Sequence, residues 1–303
     1  MFTPKKLNMA AVDLGASGGR VITGEFDGQT LRIKEAGRFP NLSVSVNGTL
    51  YWDILHFYTG IRQGLKMAGD ESDGIDGIGI DSWGNDFGLL DQKGRLLSNP
   101  VHYRDGRTLG MMEKVFEIVP RESVFRQTGI QFMRFNALYQ LFSMLDNREP
   151  VMKIASAFLM IPDLIVYFLT GQRINEYTNA TTTQMLDPYT SGWAAELMGA
   201  LGINKELFTD VVKPGMIIGK LTDENENNPG IKNARVIAVA EHDTASAVIA
   251  VPAKTDDFVY ISSGTWSLIG VETKKPVIND LTYNYNFTNE GGAFGTYIFY
   301  KVI

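Results

Sequence analysis

Residues 13–20 read DLGASGGR. They follow a short apolar run, turn through Gly15, Gly18 and Gly19, and give way to RVITGEF at 20–26, a stretch rich in β-branched and aromatic residues. The pattern is strand, glycine turn, strand: a hairpin with no helix at its turn. Neither common nucleotide loop fits, because there is no GxxxxGK[ST] and the glycine spacing does not match GxGxxG opening a helix. DGQ at 27–29 is a second turn, and TLRIKEAGRFP at 30–40 alternates well enough for a third strand, so the chain opens as an antiparallel meander. Far downstream, DFVYISSGTWSLIGVET at 257–273 repeats strand, small hydroxyl-rich turn, strand. Two such hairpins predict two related lobes gripping one ligand between their turns, with phosphates in the cleft.

Between the hairpins, Asp53 sits where an N-cap belongs. Trp52 and Phe57 are placed as a hydrophobic staple, and apolar Ile54, Leu55, Tyr58, Ile61 and Leu65 follow at helical spacing. IDGIGIDSWG (75–84) reads as a buried strand ending in polar residues, and FGLLDQKGRLLS (87–98) as a hairpin turning at Gln92 to Gly94. Helical patterns dominate from 107 to 215, including ASAFLMIPDLIVYFLTG (155–171) as a buried helix. ARVIAVA (234–240) is a strand that runs into EHDTASAVIAVP (241–252), and a strand ending in charged residues before a helix is a common place for a site.

The 303 residues leave room for roughly two domains. With 44% apolar and 20% charged residues the chain should bury a sizeable core. A formal charge of -6, with no basic run beyond Lys5-Lys6 and Lys274-Lys275, argues against a general nucleic-acid binder. The absence of cysteine removes disulfides, thiolate metal sites and cysteine nucleophiles together and suits a reducing compartment. His56, His102 and His242 are too far apart in sequence to suggest a histidine metal site. Asp13 interrupts the N-terminal apolar stretch too early for a signal-peptide core, and Pro162 and Asp163 break the most apolar segment short of a membrane span. A cytoplasmic location, without membrane contact, is the expectation.

Taken together and in order, VDLGASGGR (12–20), GIDSWGNDFGLLD (79–91), HYRDGRT (102–108), AEHDTASAV (240–248), SSGTWSL (262–268) and TNEGG (288–292) resemble the rhamnulokinase branch of the FGGY carbohydrate kinases. The resemblance implies an α/β, actin-like ATPase (ribonuclease H-like) fold. It also implies ATP and Mg2+ as co-substrate and cofactor, and a deoxy-ketohexose acceptor: L-rhamnulose, phosphorylated at its C1 hydroxyl. L-fuculose is the alternative sugar. A catalytically silent sugar-binding half-fold is the alternative from another class, and a dinucleotide-dependent oxidoreductase is disfavoured because no acidic residue follows a GxGxxG unit.

The same resemblance assigns roles. The turn of Ala16, Ser17, Gly18, Gly19 and Arg20 becomes the first phosphate loop, since successive backbone N–H groups form an anion nest and glycine lets oxygen approach. Gly264 and Thr265 belong to the second phosphate loop, and Asp13 holds magnesium through water. Asp243 becomes the general base that takes the proton of the attacking hydroxyl. His242, Gly84, Asp86 and Thr244 become sugar contacts. From the residues alone, Asp243 is equally a helix cap, Asp13 a turn carboxylate, the glycine turn a plain hairpin, and DSWGNDF a strand-end turn with a packed tryptophan. HYRDGRT either lines the cleft or forms an exposed ion-paired loop.

After TNEGGAFGTY the family pattern continues with an arginine, then LKN and a long second lobe. This chain reads IFYKVI, with Ile298 at the arginine position and Val302 at the substrate-binding asparagine. A change of reading frame near residue 298 with early termination, an artefact of preparation or a sequencing error would each produce this. The expected organisation is a complete first lobe at 1–252 and, at 253–303, only the first strands of the second. The chain is accordingly expected to lack kinase activity on its own.

Overall fold

A computed structural model describes residues 6–225, 228–264 and 266–303. Strands β1 (Leu7–Leu14), β2 (Gly18–Phe26) and β3 (Leu31–Pro40) form the expected meander, with Leu14 paired to Gly19 across the first turn. Helix α1 (Ile54–Asp70) starts as read: the Asp53 side chain accepts from His56 N at 3.1 Å, and the Trp52 and Phe57 rings meet at 5.8 Å. One position in the apolar pattern differs, since Leu55 faces outward while Ile54 is fully buried. Strand β4 (Gly77–Ser82) returns parallel to β1 and sets Asp81 beside Asp13 in register.

The next stretch departs from the reading in two ways. The turn around Gln92 to Gly94 forms, with Asp91 N donating to Arg95 O at 2.9 Å. Its return arm, however, contributes only a bridge between Leu90 and Leu96. Strand β5 (Phe87–Leu90) pairs instead, antiparallel, with the distant β6 (Ala157–Met160), so that the segment read as one buried helix begins as a strand. Between them run α2 (Met111–Ile118), α3 (Arg121–Thr128) and α4 (Ala137–Asp146). Helix α5 is only Ile161–Thr170; Pro162 lies in its first turn, where the missing N–H costs nothing, and Asp163 accepts from Met160 N at 3.2 Å.

Helix α6 (Tyr177–Thr182), strands β7 (Ile217–Lys220) and β8 (Arg235–Ile237), and helix α7 (Asp243–Ile249) follow. The main sheet has the order β7-β8-β4-β1-β2-β3, with β8, β4 and β1 parallel. The parallel strands all point their C-terminal ends toward one edge, where open α/β sheets bind ligands. A second sheet has the order β9-β10-β12-β11, built from β9 (Tyr260–Ser263), β10 (Ser267–Thr273), β11 (Thr288–Gly291) and β12 (Tyr297–Val302), all antiparallel. The segment that departs from the family pattern is thus a strand hydrogen-bonded on both sides, with Ile298 completely buried.

One apolar core joins the main sheet to α1 and α5, a second fills the helical layer over β5 and β6, and a third packs Ala245 and Val248 of α7 against Tyr260, Leu268, Ile298 and Tyr300. The boundary expected at 252 falls in 251–259, which contains no helix or strand. Among the described residues, no helix is long and apolar enough to cross a membrane.

Candidate active site

The C-terminal ends of β1 and β4, the start of α7, and the strands β9 to β12 converge on one cleft of about 610 Å3. Asp13, Ala16 and Ser17 line it from the first hairpin, Gly264 from the second, and His242, Asp243 and Thr244 from the α7 end. The two hairpin turns therefore do face one space. Gly15 N closes the first turn on Gly18 O at 3.0 Å, and Gly264 N closes the second on Trp266 O at 2.9 Å. Thr265 lies outside the described residues.

The other residues of the first turn do different work. Gly18, Gly19 and Arg20 belong to β2 and do not line the cleft. A methyl group at Gly19 would stand 2.2 Å from the Phe39 ring, so this glycine serves packing beneath the turn. Arg20 forms an ion pair with Asp13.

Asp243 is the first residue of α7, and its Oδ1 accepts from Thr244 N at 2.6 Å and Thr244 Oγ1 at 3.2 Å. It does touch the helix terminus, as the capping reading allows. The carboxylate is nevertheless 42% exposed, into the cleft. The surrounding protein desolvates it and pushes its pKa up, against the pull of His242 and the Thr244 bonds. Burial pushes Asp81 up much further, and the nearby Asp13 and Asp243 carboxylates add to it. Among the described residues, no group of three or more His, Asp or Glu is disposed to hold a metal ion. The Asp13 carboxylate is a hard oxygen donor facing the cleft, which suits a hydrated Mg2+ held through water.

The opposite part of the cleft is aromatic and amidic. Trp83, Gly84 and Asn85 line it after β4, joined by Tyr103, Gln131 and Asn136. Phe135 from the helical layer meets Trp266 from the second hairpin at 5.8 Å, so the two walls touch there. Apolar faces with convergent hydroxyl partners suit a sugar.

Asp86 is placed otherwise than expected. It is completely buried behind this wall, where Oδ2 accepts from Trp52 Nε1 at 2.6 Å, Trp83 Nε1 at 3.0 Å and Tyr103 N at 3.2 Å, and Oδ1 from Gln140 Nε2 at 3.0 Å. Burial pushes its pKa up to about 6 despite these donors. HYRDGRT is likewise no exposed loop: His102 is buried and stacks on Trp52 at 3.9 Å, burial lowers its pKa to about 4, and Arg107 Nη2 donates to Gln140 Oε1 at 2.7 Å. Asp86, His102 and Arg107 thus support the aromatic wall from behind, while Tyr103 of the same HYRDGRT segment lines the cleft.

Behind His242 and Asp243 lie three fully buried carboxyls, Asp163, Glu176 and Glu241. Glu176 Oε2 accepts from Glu241 N at 3.2 Å and from Thr178 Oγ1 at 2.6 Å, and that threonine oxygen in turn accepts from His242 N at 3.1 Å. Burial drives Asp163 and Glu176 each up to about 7, and drives Glu241 well above the carboxylate range with both neighbours adding to the effect. The sequence reading missed Asp81, Glu290, Tyr300 and this trio. A visible signal existed for Asp81, a charged residue inside an otherwise apolar strand run, whereas the trio is assembled from three segments distant in the chain.

The model of the FGGY family of carbohydrate kinases, N-terminal domain, matches residues 8–250. The chain is 45% identical over 293 residues to a rhamnulokinase of Oceanobacillus iheyensis, covering 97% of this chain and 62% of that protein. It is 47% identical over 291 residues to a rhamnulokinase of Bacteroides thetaiotaomicron, covering 96% and 60%. Among solved structures it superposes on a ligand-bound xylulose kinase from Lactobacillus acidophilus with a TM-score of 0.86 at 19% identity, over 97% of this chain and 59% of that one. It matches Plasmodium falciparum glycerol kinase with ADP at 0.80 and 15%, over 98% and 61%. The chain thus spans about three fifths of the length of the curated relatives it matches.

Proposed function

Because the chain belongs to the FGGY family of carbohydrate kinases, we propose that it supplies the sugar wall, the phosphate turns and the catalytic base for transfer of the γ-phosphoryl group of MgATP to the C1 hydroxyl of L-rhamnulose. The observation that carries this reading is the placement of Asp243. Its carboxylate is exposed and lines the cleft, with the turn of Ala16 and Ser17 contributing to the same cavity as the wall of Trp83, Gly84, Tyr103 and Phe135.

The sugar ring rests on the aromatic wall, with Asn85, Gln131, Asn136, His242 and Thr244 available to its hydroxyls. Asp243 accepts the proton of the C1 hydroxyl as that oxygen attacks the γ-phosphorus and ADP departs. A carboxylate raised by its surroundings is a stronger base than one in water, so the direction of the Asp243 shift suits the task. Backbone N–H groups of Ala16 and Ser17 receive phosphate oxygens, Gly264 lines the same cleft, and the family resemblance assigns the Thr265 hydroxyl to a phosphate as well. Asp13 would hold Mg2+ through water, and the ion would neutralise charge on the β- and γ-phosphates. The choice of L-rhamnulose is supported by the two relatives at 45% and 47% identity that bear the name rhamnulokinase.

The test measures calorimetric binding of L-rhamnulose, L-fuculose, L-xylulose and glycerol to the 303-residue chain. A coupled ADP-release assay across the same sugars follows, in a protein extended to the length of its relatives. L-rhamnulose is expected to rank first in both. Preference for another sugar overturns the substrate assignment, and sugar binding with no ADP release in the extended protein favours the silent sugar-binding alternative.

A further inference from the structure

We infer that Glu290 is a positioning residue, holding the His242 imidazole between two carboxylates so that its Nε2–H faces Asp243 and the cleft. Glu290 lies on β11, is 4% exposed, and borders the cleft. Its Oε1 accepts from Tyr300 Oη at 2.6 Å, which fixes the carboxylate in place. Its Oε2 and His242 Nδ1 lie 3.0 Å apart, within ion-pair distance, and neither atom has a hydrogen-bond partner of good geometry. On the far side of the ring, His242 Nε2 lies 3.3 Å from Asp243 Oδ1. The backbone is pinned as well, His242 N donating to Thr178 Oγ1 at 3.1 Å.

A neutral imidazole carries one N–H and one lone pair. Between Glu290 and Asp243 either tautomer would aim its lone pair at a carboxylate, and only the doubly protonated ring satisfies both sides. The charged groups around it point the same way. Burial opposes the charge, but Glu290 first, then Asp243 and Glu176, outweigh it and push His242 up to about 9. Asp81, another carboxyl lining the cleft, also lies within reach of its field, and Tyr300 donates to Glu290. The resulting imidazolium favours the ionised form of Asp243 that a general base requires, against the desolvation that raises it. Glu290 thus acts on the reaction through His242.

That consequence rests on the proposed role of Asp243; the protonation of His242 does not, and the experiment reads it directly. Long-range 1H–15N correlation spectra of the 303-residue chain, with His242 assigned by the signal lost in His242→Gln, should show both ring nitrogens protonated at pH 7. Glu290→Gln keeps an acceptor for the Tyr300 hydroxyl but removes the charge. It should lower the His242 midpoint by more than one pH unit while His56 and His102 stay as they were. A His242 midpoint unmoved by Glu290→Gln overturns the inference. So does a neutral His242 at pH 7 in the unaltered chain, a result that decides the matter alone should Glu290→Gln not fold. A kinase assay that failed with every sugar would refute the functional proposal and leave this titration standing.

Discussion

Gly84 is the residue where a packing role and a sugar-contact role make different predictions. A methyl group added there would sit 2.8 Å from Thr182 Oγ1, 2.9 Å from its Cγ2 and 3.0 Å from its Cβ. Comfortable contact between such atoms begins at about 3.5 Å, so the overlap is about half an ångström with three atoms of one side chain. Thr182 cannot swing away at little cost. It is buried at the end of α6, its Oγ1 donates to Asn179 O at 2.8 Å and accepts from Asn85 N at 3.2 Å, and its β-branch is stiff. Gly84→Ala is therefore expected to destabilise the protein by about 1–3 kcal/mol, as other overpacked sites do. Thr182→Ala, which loses the helix-terminal hydrogen bond, should cost about 1 kcal/mol. The double variant removes the Oγ1 and Cγ2 contacts and leaves only the one to Cβ at 3.0 Å, so the two changes should couple favourably by about 1–2 kcal/mol. Urea denaturation of the four proteins of this cycle measures the coupling, and L-rhamnulose titration of each reports on the wall. Additive effects, with no coupling, would refute the argument from close approach. A Gly84→Ala protein of unchanged stability that no longer binds sugar would show instead that the glycine is reserved for the ligand.

Glu241→Gln tests the buried acid trio. Burial pushes the Asp163 and Glu176 carboxyls up to about 7 from ordinary values of 3.8 and 4.5, so between about pH 4 and 7 the native state holds more protons than the unfolded chain, and the trio's contribution to stability falls as pH rises through that window. The variant should flatten that fall between pH 5 and 7.5 in urea midpoints; an unchanged slope would sink the idea. Asp243→Asn is expected to leave L-rhamnulose binding to the 303-residue chain within a few-fold while lowering kcat by about 10²- to 10⁴-fold in a protein of its relatives' length, and retained kcat would return the residue to helix capping. Asp86→Ala strands the Trp52 and Trp83 N–H groups without an acceptor and should cost about 3–5 kcal/mol by thermal or urea unfolding, with loss of sugar affinity following from the loosened wall; a loss of affinity at full stability would mean that Asp86 meets the sugar itself. Finally, since the relatives bearing the kinase name are longer by about two fifths of their length, the 303-residue chain is expected to bind L-rhamnulose without measurable ADP release, and turnover in the coupled assay would overturn that expectation.

The meander, α1 with its cap and staple, and the echoing second hairpin were legible because each is local: alternation, turn residues and capping chemistry lie within a few positions of one another. The segment 155–171 was not, because AFLM is apolar throughout and a buried strand and a buried helix look alike in such a run. Only the pairing of Ala157–Met160 with Phe87–Leu90, remote in sequence, decides it. The site shows the same division. Asp243, His242 and Gly264 could be brought together by motif order, whereas the seclusion of Asp86 depends on donors from Trp52, Tyr103 and Gln140, and the encounter of Glu290 with His242 depends on two sheets meeting. A carboxylate beside a tryptophan in sequence carries no sign of which way it will face. IFYKVI, foreign to the family pattern, still alternates enough to take a central place in its sheet, with Ile298 and Tyr300 inward.

Two of the four tryptophans, Trp83 and Trp266, line the cleft, and Trp52 lies buried behind Trp83. Trp52 and Trp83 lie 4.5 Å apart with both indole N–H groups on the Asp86 carboxylate, while Trp266 stands at the opposite rim against Phe135. Trp193 lies elsewhere, beside Phe208. The molecule consequently carries its own optical gauge. The emission of the coupled pair is tuned by the charge on Asp86, and that of Trp266 by whatever displaces water from the rim. A sugar entering the cleft would be seen first in the red-shifted, quencher-accessible part of the spectrum, with no label attached.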